Sequence, residues 1–458
     1  MSAHSRIHTY GDRDDPPSPA DRMFRAAFLA ALAALLFLSG ALFAASEIPP
    51  GPQVVRAYQG GKALYEKLRG RYSSIYSSDL WYPARRSDKG VTAHRQELAQ
   101  PGVTLYTSGD RAAAHLIDMD GQVLHSWRRP FESIRKIART SASQPDSYVY
   151  FRHAQAFPNG DLLVIYEGVG DTPYGYGVAR LNRNSEVIWF YPGRAHHQFS
   201  VAPDGSIYVL THEFVDDRIP PFGHLKRPRL EDFLVVLSPD GEELQKIRLL
   251  TALAHSRYQH MLYTVSELAL ADPLHANSVK YIDRDKASAF AFGKEGQVLL
   301  SFRETNSIVV LDPGTQEVVW GARGPWIGQH DPDILPNGNI LMFDNYGNYA
   351  GPAGVSRVIE FDPATMKIVW QYAGTAEHPL DSEIRADQQR LANGNTLITE
   401  SNGGRMVEVT PRGEIAWEYL NPVRGGKKGD QIPIIAWSQR LDPSTLDPAL
   451  LRSRPQQN

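Results

Sequence analysis

A short turn motif recurs along this chain and constrains its fold more than any other feature. Asn-Gly or Asp-Gly follows a proline or alanine, with apolar residues on both sides. Four copies are Phe157–Leu163, Ala202–Ile207, Leu335–Leu341 and Leu391–Leu397. Asn and Gly accept the positive φ angles of tight turns, so each copy predicts a β-hairpin. A supersecondary unit repeated at this spacing is typical of a solenoid or a propeller.

A second motif alternates with the hairpins. It is a polar turn followed by two apolar residues and a tryptophan, which we expect to pack between neighbouring repeats. The tryptophans are Trp127, Trp189, Trp320, Trp370 and Trp417, and Pro239–Leu244 is a copy without one. One unit holds enough chain for four short strands, the size of a propeller blade. The sequence therefore predicts an all-β protein with a six-bladed β-propeller.

The C-terminal strand is expected to close the ring. The first blade, near residues 102–131, lacks the hairpin motif before Trp127, and Trp437–Pro443 resembles the innermost strand Gln388–Asn393. Closure removes exposed sheet edges, which promote aggregation. We expect the propeller to span residues 101–445, with a tail over 446–458. The alternative is an open meander whose last strand is free.

The N-terminus carries one long apolar segment. Residues 26–45 are uncharged, with Arg22 and Arg25 before them. A helix of about 20 residues crosses a bilayer core of about 30 Å, and the positive flank stays in the cytoplasm. The sequence thus predicts a cytoplasmic leader (1–22), a transmembrane anchor (23–46) and a single-pass inner-membrane protein with its propeller on the periplasmic side. The alternative is a cleaved signal peptide, because Ala-Leu-Phe-Ala-Ala-Ser resembles a cleavage site.

Three segments lie outside the repeat. Residues 47–100 are predicted to be a helical connector, because Val54, Tyr58 and Leu68 belong to an apolar series at helical spacing. Two insertions, 216–232 and 250–285, interrupt the blades. We expect both to form loops over one face of the ring.

Composition and missing motifs exclude several functional classes. The 458 residues carry a formal net charge of −3, without the basic field that a nucleic-acid partner requires. The absence of cysteine excludes disulfides, thiol catalysis and cysteine-ligated metal. The sequence has no Walker loop, GxSxG elbow or GxGxxG fingerprint, so it does not indicate a nucleotide-binding protein or a serine hydrolase.

Polar residues recur at matching distances from the hairpin turns. His330 and Asn345 lie at nearly equal distances on either side of Gly338. A tight hairpin therefore predicts that they are side by side, at the end away from the turn. The same reasoning pairs His153 with Glu167, His197 with His212, and Asp387 and Gln388 with Ser401 and Asn402. In the fourth blade it places Arg303 at this end, and His275 lies upstream on the expected innermost strand.

One mouth of the central channel is predicted to gather these groups. The candidates are His153, His197, His275, His330, Glu167, Arg303, Asn345 and Arg357. Convergent polar side chains in a concavity are the default hypothesis for a binding site. Each histidine has a plainer alternative as a hydrogen-bonded core residue, and each arginine as an ion pair between blades. The sequence contains no HxH or HExxH spacing, so we predict no metal site and no cofactor. The alternative is a site for zinc, iron or copper, because these metals bind imidazoles and several blades could each supply one.

The ordered motifs resemble a known family. Gln329–Asp331, Leu335–Asn339, Phe343–Asn345 and Ser356–Glu360 follow one another as in the arylsulfotransferases that work without the nucleotide sulfate donor. Asp272–Ser278, which includes His275 and Asn277, is similar to the histidine-asparagine segment of that family, and Asn393–Ile398 is similar to its last blade. The resemblance covers residues 100 to 425.

The resemblance implies an exported six-bladed propeller that moves a sulfuryl group from an aryl sulfate ester to a phenol through a sulfohistidine intermediate. It implies sulfate-binding and acid/base roles for His275 and His330, which we take as the catalytic residues. Predicted substrate contacts are His153, His197, Asn277, Arg303, Asn345 and Arg357. Imidazole is a competent nucleophile near neutral pH, and cationic or N–H donors stabilise charge on the sulfuryl oxygens.

Two positions depart from the family pattern. The nucleophilic histidine of the family comes from the last part of the ring, where residues 380–425 contain no histidine. The family arginine that follows Phe-Asp-Asn is replaced by Tyr346–Asn348, and Arg357 substitutes only from the next strand. The nucleophile therefore stays open among His153, His197 and His330.

Two other functions compete with sulfuryl transfer. A non-catalytic, membrane-anchored propeller would use its histidines to bind an anionic or carbohydrate ligand. The other is a quinoprotein, because Asp312–Trp320 resembles the tryptophan-docking repeat of quinoprotein propellers. Six blades are fewer than those dehydrogenases use, and the sequence shows no calcium-binding carboxylate cluster.

Overall fold

The computed structural model describes residues 18–45, 74–138, 144–349 and 354–452, in two units that divide after Tyr72. The first unit contains one described helix, α1 (Pro19–Ala45), which is long and apolar enough to cross a membrane. A membrane anchor and a signal sequence both fit this description. The predicted apolar helix is therefore confirmed, and its role as an anchor stays a prediction.

The second unit is a six-bladed β-propeller, as predicted. Two strands precede the blades: β1 (Trp81–Pro83) and β2 (Gly90–His94). Blade 1 contains β3 (Val103–Ser108), β4 (Ala113–Ile117) and β5 (Val123–Arg128), and blade 2 contains β6 (Val149–Ala156), β7 (Leu162–Gly168), β8 (Gly175–Leu181) and β9 (Val187–Tyr191). Blade 3 contains β10 (Ala195–Val201), β11 (Ile207–Val215), β12 (Arg229–Leu237) and β13 (Glu243–Arg248). Blade 4 contains β14 (Ala276–Tyr281), β15 (Val298–Phe302), β16 (Ser307–Asp312) and β17 (Glu317–Arg323).

Blade 5 contains β18 (His330–Ile334), β19 (Ile340–Asp344), β20 (Arg357–Asp362) and β21 (Lys367–Tyr372). Blade 6 contains β22 (Asp387–Arg390), β23 (Thr396–Glu400), β24 (Arg405–Val409) and β25 (Ile415–Leu420), and β26 (Gln431–Pro433) and β27 (Ile435–Leu441) follow it. Short helices occur at α2 (Arg135–Ala138), α3 (Leu249–Ala254) and α4 (Arg284–Ala289). The insertion at 250–285 thus includes most of α3 and a 3-10 segment, Gln259–Thr264.

The last strand closes the ring. β27 pairs antiparallel with β3, with Trp437 opposite Thr107 and Leu441 opposite Val103, and so becomes the first strand of blade 1. The first strands β27, β6, β10, β14, β18 and β22 each contact the next around the central axis. The predicted closure by the C-terminal strand is therefore confirmed.

The predicted helical connector differs from the structure where it is described. Residues 46–73, which carry the helical spacing, lie outside the described residues. From residue 74 the chain forms a 3-10 turn (Ile75–Ser77) and then two strands. β1 pairs with β26, and β2 pairs with β25 as a fifth, outer strand of blade 6. The edge of a sheet has unpaired N–H and C=O groups, and β2 forms hydrogen bonds with those of β25. The propeller unit therefore begins before residue 101.

The described part of the C-terminal tail packs onto the propeller. Leu446 and Leu450 are 6% and 1% exposed, in the same apolar cluster as Leu162 and Leu181 of blade 2. Asp447 N–H donates to the carbonyl of Pro158. Leu446 and Leu450 therefore anchor this segment to the propeller.

The repeated tryptophans link neighbouring blades by hydrogen bonds as well as by packing. Four indole N–H groups donate to a backbone carbonyl in a turn of the next blade: Trp127 to Gly160, Trp189 to Pro239, Trp370 to Pro411 and Trp417 to Met119, at 3.0, 3.2, 2.9 and 2.8 Å. Trp320 makes no such bond among the described residues and instead stacks on Phe292 at 5.2 Å between centroids. The Trp417 bond joins blade 6 to blade 1, across the closure.

Replacing Trp417 by phenylalanine should destabilise the propeller more than the same change at Trp320. Both changes remove ring volume, but only Trp417→Phe leaves a carbonyl, that of Met119, without its donor. The extra loss in the free energy of unfolding should be about 1–3 kcal/mol. Urea unfolding of the two variants measures it, and equal losses would contradict a role for the indole bond in closure.

Candidate active site at one mouth of the propeller

A cavity of about 250 Å³ is lined by residues at and next to the ends of the innermost strands. Five of the predicted residues line it: Glu167, His197, His275, Arg303 and His330. Other lining residues are Asp79, Tyr150, Arg152, Tyr174, Ile384 and Arg385. Blades 2 to 6 therefore all contribute side chains to one concavity.

β-bulges aim the innermost side chains into this cavity. The pairings of β6, β10, β14 and β18 with their neighbours each shift by a bulge at this end. His197, His275 and Arg385 have φ angles of 55°, 47° and 61°, in a region that non-glycine residues rarely adopt. Such strain persists only where surrounding contacts hold it, and it clusters at functional sites.

Hydrogen bonds fix the proton of His330. The Nδ2 group of Asn345 donates to the carbonyls of Ser382 and Arg385 at 2.8 and 3.0 Å, so its Oδ1 is an acceptor. Oδ1 lies 2.8 Å from Nδ1 of His330, and the Gly328 carbonyl lies 3.0 Å from the same atom. Nδ1 must therefore carry the proton and Nε2 the lone pair. Burial, with Arg152 and Arg303 nearby, holds the pKa of His330 well below its usual range.

The pKa of His275 is shifted in the opposite direction to that of His330. Its Nδ1 lies 2.6 Å from Oδ2 of Asp272. Burial lowers the pKa of His275, but the Asp272 carboxylate outweighs burial, and the net pKa is raised above its usual value. His275 is therefore the imidazole of this cavity that most readily carries a positive charge and donates a proton.

His197 makes hydrogen-bond contacts with two neighbouring side chains. Its backbone N–H donates to Oε1 of Glu167 at 2.5 Å, and its Nδ1 lies 2.8 Å from Nδ1 of His196. Burial lowers the pKa of the His197 imidazole well below its usual range, and the neighbouring His196 and Arg152 add to this. The ring centroid of His197 lies 5.2 Å from that of His275 and 6.3 Å from that of His330.

Three arginines line the cavity, together with the carboxylates of Asp79, Glu167 and Asp171. Nη1 of Arg152 donates to the Ala436 carbonyl at 2.9 Å, and Nη1 of Arg303 lies 2.6 Å from Oε1 of Glu304. The Nε groups of Arg152 and Arg303 have no hydrogen-bond partner among the described residues. Arg385 is more fully engaged, since it donates to the Asp79 carboxylate and backbone carbonyl at 2.9 Å each and to the Tyr150 hydroxyl at 3.3 Å.

Four predicted substrate-binding residues do not line the cavity. Asn345 positions His330, as described above. Asn277 donates to the Gln329 carbonyl at 2.8 Å. His153 packs between Phe199 and Trp437, with ring centroids at 4.4 and 4.7 Å, deeper in the channel.

Arg357 is the clearest correction. It lies 2.8 Å from Oδ2 of the buried Asp344 and also donates to the carbonyl of Pro325. It forms an ion pair, as the plainer alternative held, but within blade 5 rather than between blades. β20 carries Arg357 opposite Asp344 on β19, within the blade and away from the cavity lining.

The hairpin pairing was right for His330 with Asn345. In blade 4, the Arg303 N–H donates to the His275 carbonyl at 3.3 Å, so these two residues are neighbours. The others were wrong. Glu167 lies opposite Tyr150, and Asp387 lies opposite Thr399. His212 stacks on His196 rather than on His197, at 4.3 Å between centroids. The hairpins of blades 2 and 6 centre on Asn159 and Asn393 rather than on the following glycine, and in blade 2 a bulge shifts the pairing further.

The sequence reasoning missed Tyr174, Arg152 and Arg385. Tyr174 lies in the loop before β8, and its ring contacts those of His197 and His275 at 5.8 and 6.2 Å between centroids. No repeat motif marks that loop. Arg385 precedes β22, in the part of the ring where the family resemblance predicts a histidine. The absence of that histidine from the sequence could have drawn attention to Arg385.

One buried cluster has residue types that bind metals. Nitrogen or oxygen atoms of His196, His212 and Asp232 lie within 4.8 Å of one another. The Gly175 N–H donates to Nε2 of His212 at 3.2 Å, which places the proton of a neutral His212 on Nδ1 and leaves it no lone pair for a metal. The His196 and His212 rings are also stacked, so their in-plane lone pairs do not converge. This cluster therefore does not fit a metal.

A model of the family described as Arylsulfotransferase (ASST) matches residues 153–422, a span that includes His197, His275 and His330. The chain belongs to this family. The matched span covers blades 2 to 6, which line the cavity, and leaves out blade 1 and its closing strand. None of the curated proteins compared with this arylsulfotransferase family member matches it.

Similar solved structures include a protein of unknown function from Bacteroides caccae, at 14% identity and a TM-score of 0.45, over 73% of this chain and 99% of that one. Another is a catalytically inactive virginiamycin B lyase from Staphylococcus aureus with quinupristin, at 9% identity and a TM-score of 0.33, over 59% of this chain and 69% of that one. Similarities of this size do not bear on function.

Changing Asn345 to aspartate should reverse the protonation of His330. The substitution keeps the shape but replaces a neutral acceptor by a carboxylate, which should raise the pKa of His330. NMR of ¹⁵N-histidine-labelled protein should show a neutral His330 with Nδ1–H at pH 6 in the wild type and a charged ring in Asn345→Asp. A charged His330 in the wild type at pH 6 would contradict the assigned tautomer.

Proposed function

We propose that this protein transfers a sulfuryl group from an aryl sulfate ester to a phenol in the cavity described above. The observation that supports it is the convergence of three imidazoles, those of His197, His275 and His330, whose hydrogen-bond partners give them different proton affinities. Groups with separated pKa values can act as acid and base at the same pH. Membership of the arylsulfotransferase family supplies the reaction type.

The arginines would bind the sulfuryl oxygens. Arg152 and Arg303 both line the cavity, and guanidinium donors preorganised there stabilise charge that develops on oxygen during transfer. The aryl ring would lie against Tyr150, Tyr174, Val169 and Ile384, which supply the apolar and aromatic part of the lining.

Proton transfer would be divided between His275 and His330. His275 carries the raised pKa and would protonate the departing aryl oxygen. His330 presents the lone pair of Nε2 and would accept the proton of the incoming phenol. Neither role requires a residue from blade 6, which contributes Arg385 where the family resemblance implies the nucleophile.

The site of action follows from α1. We propose that α1 is an uncleaved anchor in the inner membrane, with residues 1–22 in the cytoplasm and the propeller in the periplasm. The basic flank formed by Arg22 and Arg25 supports this orientation. Small aryl sulfates and phenols that enter the periplasm would then be the substrates.

A second candidate is a propeller that binds an anionic ligand without turnover. Arg385 favours it, because an arginine held by Asp79 and Tyr150 can bind an anion but cannot accept a sulfuryl group. In that case the histidines and arginines would serve recognition alone.

Incubation with 4-nitrophenyl sulfate and a phenol tests the first proposal. Wild-type protein should release 4-nitrophenol and form the new aryl sulfate, and His330→Ala or His275→Ala should lower kcat by about 10²- to 10⁴-fold. His378→Ala, a change outside the cavity, should retain activity. Thermal unfolding shows whether each variant is folded. Binding of 4-nitrophenyl sulfate without turnover by the wild type would instead support the binder.

Asp272→Asn should shift the alkaline limb of the pH profile. A general acid works only while protonated, so activity should fall as pH rises through the raised pKa of His275. Without the carboxylate, burial dominates and the pKa of His275 falls. The alkaline limb of kcat should move to lower pH, while Asp285→Asn, a surface change of the same type, leaves it in place. An unshifted limb would remove His275 as the acid.

A further inference from the structure

The cavity lies at one end of the propeller, and the strand order shows which other segments share that end. The innermost strands β6, β10, β14, β18 and β22 begin at or beside cavity-lining residues. Neighbouring strands of a blade are antiparallel, so the second strand of a blade ends here, the third begins here and the fourth ends here. The connections between second and third strands, and those between successive blades, therefore surround the mouth of the cavity.

Exposed apolar side chains of the propeller unit are concentrated at this cavity end. Six large ones lie there: Ile137, Phe214, Tyr263, Leu268, Ile327 and Tyr349. Tyr76 lies in the segment that leads to Asp79 of the cavity lining, and the other three described ones, Ile188, Leu244 and Val369, lie on the outermost strands β9, β13 and β21. The described turns at the opposite end expose none. Single exposed apolar residues are normal on any surface, but a distribution confined to one end indicates a contact surface.

The two insertions, 216–232 and 250–285, are joined to each other at the cavity end. The N–H groups of Lys226 and Leu230 donate to the carbonyls of Leu270 and Ala271, at 3.0 and 2.7 Å. Buried apolar side chains from both insertions also belong to one core cluster. The insertions therefore form a single packed layer rather than two free loops.

Tyr263 and Leu268 project from the outer surface of this layer. Tyr263 is 62% exposed, and its ring stacks on that of His224 at 5.6 Å between centroids. Leu268 is 99% exposed, in a turn where the Ala269 N–H donates to the Ser266 carbonyl at 2.9 Å. An apolar side chain that an ordered turn leaves in water gains no burial on folding, so its position indicates contact with another surface.

Basic side chains accompany these apolar ones. The exposed basic residues of the two insertions at this end are Arg218, Lys226, Arg227 and Arg257, and the exposed acidic ones are Asp216 and Glu267. Residues 218–230 contain no acidic residue. Leucine and tyrosine flanked by lysine and arginine are typical of segments that lie in the interface of a bilayer, where the basic groups attract anionic lipids.

The arrangement of the apolar residues fits a planar partner. They come from segments beside blades 1, 3, 4 and 5, so they are spread around the mouth of the cavity. A protein partner is recognised by a compact, well-packed patch, whereas a bilayer surface can touch separate points on a rim at once. The bilayer is therefore the occupant that this end favours.

The path of the chain also brings this end within reach of a membrane. The chain enters the propeller unit at the cavity end, since Asp79 lines the cavity, and residues 46–73 connect that unit to α1. A linker of this length spans at most roughly 100 Å. A bilayer that held α1 would therefore keep the propeller close enough to dock.

We propose that the cavity end of the propeller docks onto the surface of a lipid bilayer that contains anionic lipids. Tyr263 and Leu268 insert between the headgroups, and Lys226 and Arg227 contact lipid phosphates. The cavity then opens at the bilayer surface. This inference goes beyond the proposed function and does not depend on it, because docking requires no turnover.

The absence of cysteine from the sequence allows a direct test in the full-length protein. Leu268→Cys and Leu244→Cys each introduce one thiol at an exposed leucine, and each would be labelled with the fluorophore NBD. Leu244, 61% exposed on the outermost strand β13, is the matched control. After reconstitution into liposomes of phosphatidylcholine and phosphatidylglycerol, the label at position 268 should emit at shorter wavelength than the label at 244. Lipids with a nitroxide on the headgroup should quench only the label at 268.

Charge reversal tests the contribution of the basic residues. Lys226→Glu combined with Arg227→Glu should lower the ratio of docked to undocked protein by about fivefold for each lysine or arginine lost. Quenching of the label at position 268 measures this ratio. Lys367→Glu combined with Arg412→Glu, the same reversal on exposed residues at the opposite end, should leave quenching unchanged. Liposomes of phosphatidylcholine alone should quench the label less than anionic ones.

The outcomes are separate from those of the transfer assay. Equal quenching at positions 268 and 244, or none at either, would overturn the docking of the cavity end. Quenching at 268 that charge reversal and lipid charge do not alter would overturn the role of Lys226 and Arg227 and leave apolar insertion standing. Fluorescence is measured without substrate, so a failure of docking leaves sulfuryl transfer standing, and a failure of transfer leaves docking standing.

Discussion

The pairing of β27 with β3 is the contact on which the site depends. The first strands of all six blades touch in a closed circuit around the axis, so each is positioned by two neighbours. The cavity takes side chains from β6, β10, β18 and the residues just before β14 and β22, which lie far apart in sequence. Their separation is set by the ring as a whole rather than by any single blade. The indole bonds between blades help to maintain that circuit.

Within this frame, neighbouring groups give three similar rings different chemistry. An amide oxygen fixes the proton of His330 on Nδ1, a carboxylate raises the pKa of His275, and Nδ1 of His197 lies against a second imidazole. Burial alone would lower the pKa of all three rings, so the partner of each Nδ1 atom decides what that ring does. The acid and the bases of the proposed reaction therefore follow from residues that do not themselves meet substrate.

The blades could be predicted from the sequence because the conformation of a tight turn depends on the few residues that form it. Asn-Gly turns and the recurring tryptophans predicted six repeats, and the resemblance of Trp437–Pro443 to an inner strand predicted the closure. Pairing His330 with Asn345 succeeded for the same reason. The register of Glu167 and the true partner of Arg357 depended on bulges and cross-strand contacts, which hydrophobic pattern does not encode. Tyr174 and Arg385 lie in loops outside the repeat, and only the assembled ring brings them to the cavity.

Closure by the last strand also has a consequence for how this protein is made. β3 is synthesised before the other five blades, and the strand that covers its inner edge is synthesised only after them. At synthesis rates of about 5–20 residues per second, that edge stays unpaired for roughly tens of seconds. A nascent chain in this interval carries a bare strand, so the growing polypeptide would need a chaperone, or slow folding, until β27 is available.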